Sequence, residues 1–266
     1  MKHAAGDLLR ERVQAGAEDV HFPEAFVRAV LAELTSPGDV VLDPFAGYGT
    51  TLVVAEQMDR VGVGVELLAE RVALARSRLH GAGRIIEGDA RNLTQFGLEP
   101  VDLCLTSPPY MSSVDHPENP LSAYRTRDGD YERYLEELGQ VFAAVAGLLR
   151  PAGHLVINAA TIWTGDVVTP LAWDIARIAW QHLIFQGETY LWWDEPVPWV
   201  SGDYCLRSRR LASPLGGPGL LGAVTALRHR LGCLGPVRGL PGRSCSRRDR
   251  PGGVGCPARH ASRTAG

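Results

Sequence analysis

A chain of 266 residues, 45% hydrophobic and 21% charged, is long enough to bury one sizeable α/β core, and its net charge of −3 marks no strongly charged partner by itself. No apolar run approaches the roughly 20 residues of a membrane span, and MKHAAGDLLRERVQAG lacks the apolar stretch of a secretory signal, so a cytoplasmic protein without membrane attachment is expected. Cys104, Cys205, Cys233, Cys245 and Cys256 form no C-x-x-C pair and have no ligand-spaced His partners, which argues against a metal site and against a disulfide framework.

In chain order, HFPEAFVRAVLAEL (21–34) sets Phe22, Phe26, Val30 and Leu31 at helical spacing. After the SPGD turn, VVLDPF (40–45) reads as a short strand of the buried parallel kind. Helical periodicity resumes in TTLVVAEQM (50–58), followed by strand VGVGVE (61–66), helix LLAERVALARSRL (67–79) and strands RIIEGD (84–89) and VDLCLTS (101–107). An amphipathic helix over 131–150, a PAGH turn, strand LVINAA (155–160) and helix PLAWDIARIAW (170–180) follow. HLIFQGETYLWW (182–193) reads as two antiparallel strands joined near Gly187. The order predicts an α/β fold, a doubly wound, mostly parallel seven-stranded sheet of the Rossmann-like kind that ends in an antiparallel hairpin.

Charge and composition split the chain near residue 206. Residues 207–266 hold 12 basic residues and one acidic, a net of +11, leaving −14 for residues 1–206. The tail also holds 12 of the 30 glycines and 6 of the 18 prolines and lacks Ile, Met, Phe, Tyr and Trp, so it is not expected to build a core. Residues 1–206 are therefore read as the folded domain and 207–266 as a disordered or out-of-frame segment. A basic arm that grips phosphate backbones is the other reading, and composition favours the first.

Ligands of doubly wound sheets bind at the carboxyl ends of the strands. The first predicted strand ends in DPFAGYGTT, where Gly47 and Gly49 permit a tight turn and close backbone approach ahead of a helix N-terminus. The second ends in Glu66, nineteen residues beyond Gly47, close to the separation at which an acidic side chain reaches ribose hydroxyls. The third ends in Asp89 and the fourth in Ser107-Pro108-Pro109-Tyr110. A nicotinamide dinucleotide fold is disfavoured because Leu52 stands where its third glycine would fall, and no Lys-Ser/Thr follows the glycines as in a phosphate-cradling loop. Two prolines lack N–H donors, so the last strand stops there, leaving the Ser107 hydroxyl and backbone carbonyls as fixed acceptors beside the flat ring of Tyr110.

The run Asp43-Pro-Phe45-x-Gly47-x-Gly49-Thr50, the acidic end of the second strand and Thr106-Ser107-Pro108-Pro109-Tyr110 together resemble the S-adenosylmethionine-dependent amino-methyltransferases of DNA, the N4-cytosine and N6-adenine methylases. The resemblance covers about residues 20–205. It implies that Asp43, Phe45, Gly47, Gly49 and Thr50 surround the methionine part of the cofactor, that Glu66 binds its ribose and Asp89 its adenine amino group, and that the helix start near His21 and Phe22 reaches its carboxylate. It also implies that Ser107 and Pro108 accept hydrogen bonds from the target amino group while Tyr110 stacks on the flipped base, with Pro109 completing the turn. Ser at the first motif position favours cytosine N4; adenine N6 in DNA and an RNA base amino group such as guanine N2 are the alternatives. The implied roles are site-specific DNA methylation and restriction-modification. A non-catalytic binding or partner subunit is the alternative of a different class.

Cys104, on an apolar strand, is expected to be core, which disfavours thiolate chemistry on cytosine C5. The polar segment 111–130 offers His116, Arg125 and Arg127 as candidates for phosphate contact, and most of the six tryptophans, all within 163–199, are expected to pack in the core and hairpin. No folded segment remains for reading bases, so specificity is expected from loops, a dimer or a separate specificity subunit.

Overall fold

The computed structural model describes residues 2–3, 23–109, 131–159, 162–164, 167–193 and 220–229, all within the compact unit Met1–Leu231. The segment opens with β1 (Lys2–His3), then α1 (Glu24–Leu34), β2 (Val40–Asp43), α2 (Thr50–Gln57), β3 (Val61–Glu66), α3 (Ala69–Arg78), β4 (Arg84–Glu87) and a 3-10 turn at Ala90–Gln95. After β5 (Val101–Thr106) come α4 (Tyr131–Leu148), β6 (Leu149–Ala159), the short pair β7 (Ile162–Thr164) and β8 (Val167–Thr169), α5 (Leu171–Ala179), β9 (Ile184–Trp193) and β10 (Leu220–Arg228). The main sheet runs β1-β9-β10-β6-β5-β2-β3-β4. Strands β6, β5, β2, β3 and β4 are parallel, and β10 is antiparallel to both of its neighbours. The predicted doubly wound, mostly parallel sheet is therefore present, with the two-residue β1 added at the edge beyond β9.

Burial explains the strands' apolar text. Val41 and Leu42 on β2 and Leu103, Cys104 and Leu105 on β5 are fully buried, as strands covered on both faces must be. One face is covered by α1 through Phe26, Val27 and Leu31, which pack with Val54 and Ala55 of α2 against Leu103 and Leu105. The other is covered by α4 and α5, with Tyr134, Leu138, Val141, Phe142 and Val145 against Leu42, Cys104 and Leu155. Cys104 is a core residue, and burial together with the nearby Asp43 charge holds its thiol well above the usual range.

Two expectations are corrected. The first concerns 182–193, which is one strand rather than a hairpin: Gly187, at φ 148°, marks an irregularity opposite Ala226 and Leu227, where the register shifts, and does not turn the chain. The antiparallel partner of β9 is β10, beyond the expected boundary at 206. Val224 pairs with Thr189 on one side and Asn158 on the other, and Thr225 and Leu227 are buried. The average composition of 207–266 conceals the apolar stretch LLGAVTALR, which is enough for one central strand. The second concerns the PAGH turn, which lies inside β6, where Ala152 takes φ 70°. Of the tryptophans, Trp173 and Trp180 are 59% and 50% exposed, because α5 turns Leu171, Ala172, Ile175, Ala176 and Ala179 inward and leaves the opposite face outward. The side chains of Trp163, Trp192, Trp193 and Trp199 lie outside the described residues.

Candidate active site at the strand ends

Asp43 closes β2 with its carboxylate 2% exposed. Its Oδ1 accepts the Thr106 hydroxyl at 2.7 Å and the Phe45 N–H at 3.1 Å, and its Oδ2 accepts the Thr51 hydroxyl at 2.7 Å. Burial pushes the carboxyl up to about 6; the two hydroxyls and the amide oppose this, and the Glu66 charge adds a smaller upward push. The loop that follows is fixed from below: Ala46 N–H donates to the Val65 carbonyl at 2.9 Å and Gly49 N–H to the Ala46 carbonyl at 2.8 Å.

The glycines in this loop each have a structural reason. Gly49 caps α2 in the left-handed region at φ 80°, with space for a Cβ only 3.0 Å from the Ala75 Cβ, so a side chain there is both strained and crowded. Gly47, at φ 52°, faces open space, since an added Cβ would meet nothing within 4 Å. Beneath them, Gly64 of β3 lets the loop and helix sit on the sheet, because a Cβ there would lie 2.8 Å from the Ala46 Cβ. On the outer side, the Arg71 guanidinium lies 5.3 Å over the Tyr48 ring and Arg78 donates to the Tyr48 carbonyl.

Glu66, 8% exposed at the end of β3, accepts Gly47 N–H on Oε2 and Leu68 N–H on Oε1, each at 2.9 Å. Each oxygen keeps a further lone pair, which is what two neighbouring ribose hydroxyls require. Asp89, after β4, is more committed. Arg91 donates to it from its backbone N–H at 2.9 Å and from its guanidinium to both oxygens, and Arg91 in turn reaches Glu137 of α4 at 2.8 Å. Burial alone would raise the Asp89 carboxyl, but the Arg91 hydrogen bonds and charge prevail and hold it below the usual carboxylate range.

At the end of β5, Ser107 is half-buried and Pro108 buried. Strands β2 and β5 are adjacent, with Leu42 opposite Cys104, so the Ser107–Pro109 turn emerges beside the glycine loop, where the sheet order reverses direction. The Pro109 carbonyl accepts the Tyr134 hydroxyl at 3.0 Å. The structure thus gathers Asp43, Phe45, Gly47, Gly49, Thr50, Glu66, Asp89, Ser107, Pro108 and Pro109 at one end of the sheet. Phe22, His21, Tyr110 and the 111–130 segment lie outside the described residues. Thr51, Arg91 and Tyr134 escaped the sequence reading, and Thr106 entered it only as part of the motif, without a role of its own. Only Arg91, two residues after Asp89, had a local signal.

The residues fit the cofactor that the resemblance implies. The room above Gly47, the unused acceptor capacity of Glu66 and the buried carboxylate of Asp43 are what a ribose-bearing cation with an adjacent amino acid moiety would meet.

Residues 10–77 match the family model described as DNA methylase. The Type II methyltransferase M.Cfr9I of Citrobacter freundii is 49% identical over 67 residues, 25% of this chain and 22% of that protein. M2.DpnII of Streptococcus pneumoniae is 38% identical over 81 residues, 30% of each. The chain therefore spans less than a third of the length of these relatives. TrmN from Thermus thermophilus superposes with a TM-score of 0.53 at 16% identity, covering 85% of this chain and 52% of that one. A Clostridium thermocellum structure titled as a putative rRNA-methylase gives 0.50 at 14% identity, covering 77% and 95%. The chain has the Rossmann-like fold of the class I methyltransferases, and in sequence, most closely over residues 10–77, it resembles the DNA amino-methyltransferases.

Proposed function

We propose that this chain transfers a methyl group from S-adenosylmethionine to an exocyclic amino group of a base in DNA, with cytosine N4 as the target. The observation that carries this reading is the emergence of the Ser107–Pro109 acceptor turn from β5 directly beside the glycine loop of β2. When bound, the cofactor supplies an electrophilic methyl group.

An aromatic amino nitrogen is a weak nucleophile because its lone pair is delocalised into the ring. Acceptors for its two protons favour a pyramidal nitrogen and aim its lone pair, and the Ser107 hydroxyl and Pro108 carbonyl are acceptors in a turn that proline makes rigid. Glu66, Asp89 and the Asp43 loop hold the donor, and Tyr110 stacks on the base. In a duplex the base must be flipped out at a cost of a few kcal/mol, and with residues 1–206 at −14 the chain needs a second source of DNA grip, a dimer or a specificity subunit.

The test is Ser107→Ala. We expect kcat for methyl transfer to fall by about a hundredfold while cofactor affinity stays within about threefold, since the group acts on the base and not on the donor. Unchanged turnover in the folded variant would remove Ser107 from the chemistry.

A further inference from the structure

Pro108 and Pro109 have no N–H, so two of the three residues of the acceptor turn offer no backbone donor, and side chains help to hold it. Two buried hydroxyls do so among the described residues. On the leading side, Thr106 Oγ1 donates to Asp43 Oδ1 at 2.7 Å across 63 residues of chain. On the trailing side, the hydroxyl of Tyr134, a fully buried residue of α4, donates to the Pro109 carbonyl at 3.0 Å. The same Asp43 carboxylate accepts Thr51 from the first turn of α2 and the Phe45 N–H from the glycine loop.

We propose that Thr106 and Tyr134 are positioning residues for the acceptor turn, Thr106 tying it to the glycine loop through Asp43 as the joint and Tyr134 fixing its far end to α4. The proposal rests on the methyl-transfer reading above. Neither hydroxyl touches base or cofactor. Each acts by removing the freedom of the turn, and a misplacement of about 1 Å between reacting groups can cost on the order of a hundredfold in rate. Thr51 and Phe45 tie the loop to the same carboxylate, so a shift at Thr106 reaches both halves of the site at once.

The experiment compares Thr106→Val, which keeps the shape and removes the donor, with Thr106→Ser, which keeps the donor. Single-turnover methyl transfer is measured per folded, cofactor-binding site, alongside hydrogen exchange of the Phe45 and Ser107 amides. We expect the Val variant to slow transfer about tenfold or more with the cofactor KM within about twofold, the Ser variant to recover most of the rate, and both amides to exchange faster in the Val variant only. Wild-type transfer by the Val variant, or a Ser variant no better than Val, overturns the proposal. If the Val variant fails to fold, Tyr134→Phe carries the same rate and exchange tests from the other side of the turn. Should the wild-type protein methylate no nucleic acid, the methyl-transfer reading fails separately, and the exchange data decide: unchanged protection overturns the joint and faster exchange supports it.

Discussion

Asp43 is the buried acid from which a pH dependence of the site is expected. Burial lifts its carboxyl from 3.8 to about 6, so between those values the folded protein binds a proton that the unfolded chain has released. Stability at this residue therefore falls as pH rises from about 4 to about 6 and is level above, a cost of about 3 kcal/mol for the ionised form. Function runs the other way. A protonated carboxyl accepts less well, so Thr51, Thr106 and the Phe45 N–H are all held best by the anion. The groups that face it and can titrate are Glu66 from β3 and the Cys104 thiol from β5; the second is held neutral by burial. We expect methyl transfer to decline below about pH 6 with this carboxyl's titration, and Asp43→Asn to abolish both that limb and the downward slope of stability between about pH 4 and 6. Rate profiles and denaturant melts of the two proteins across pH 4.5–8 check this; an unshifted acid limb in the variant would assign it elsewhere. None of this network was legible in the sequence, because Thr106 meets Asp43 only once β5 lies beside β2, 63 residues away. Asp43, Glu66 and Ser107 were legible because each ends a strand whose apolar text is visible by itself.

At the scale of elements, the parallel half of the sheet was readable because buried strands are short, apolar and bounded by turn residues. The antiparallel half was not. Gly187 suggested a turn where the chain makes only an irregularity, and β10 is hidden in surroundings of Gly, Pro and Arg. Trp173 and Trp180 are exposed because the inward stripe of α5 is built from Leu171, Ala172, Ile175, Ala176 and Ala179. The place of β10 between β6 and β9 has a direct consequence. Removing residues 207–266 takes out a central strand, leaves β6 and β9 without their common partner and is expected to lower Tm by 10 °C or more, on the order of 2–4 kcal/mol for a domain of this size. Removing only 232–266 is expected to leave Tm unchanged. Thermal melts by circular dichroism distinguish the two truncations, and equal melts would show that β10 contributes nothing to the fold.

For the whole molecule, the charge division matters more than the net value of −3. Residues 1–206, which hold the candidate site, net −14, while 207–266 net +11, so the sequence around the site carries no positive excess of its own. Among the described residues no helix is long and apolar enough to cross a membrane. The matched relatives are more than three times longer than the segment they share with this chain. Amino-methyl transfer is tested most directly by offering the full chain labelled S-adenosylmethionine with DNA and with RNA, then digesting each nucleic acid to nucleosides for mass spectrometry. Label is expected in DNA as N4-methylcytosine. Label in N6-methyladenine would keep the acceptor chemistry and change the base, and label in RNA alone would contradict the DNA assignment. No label in any nucleoside from folded, cofactor-binding protein would contradict amino-methyl transfer by this chain.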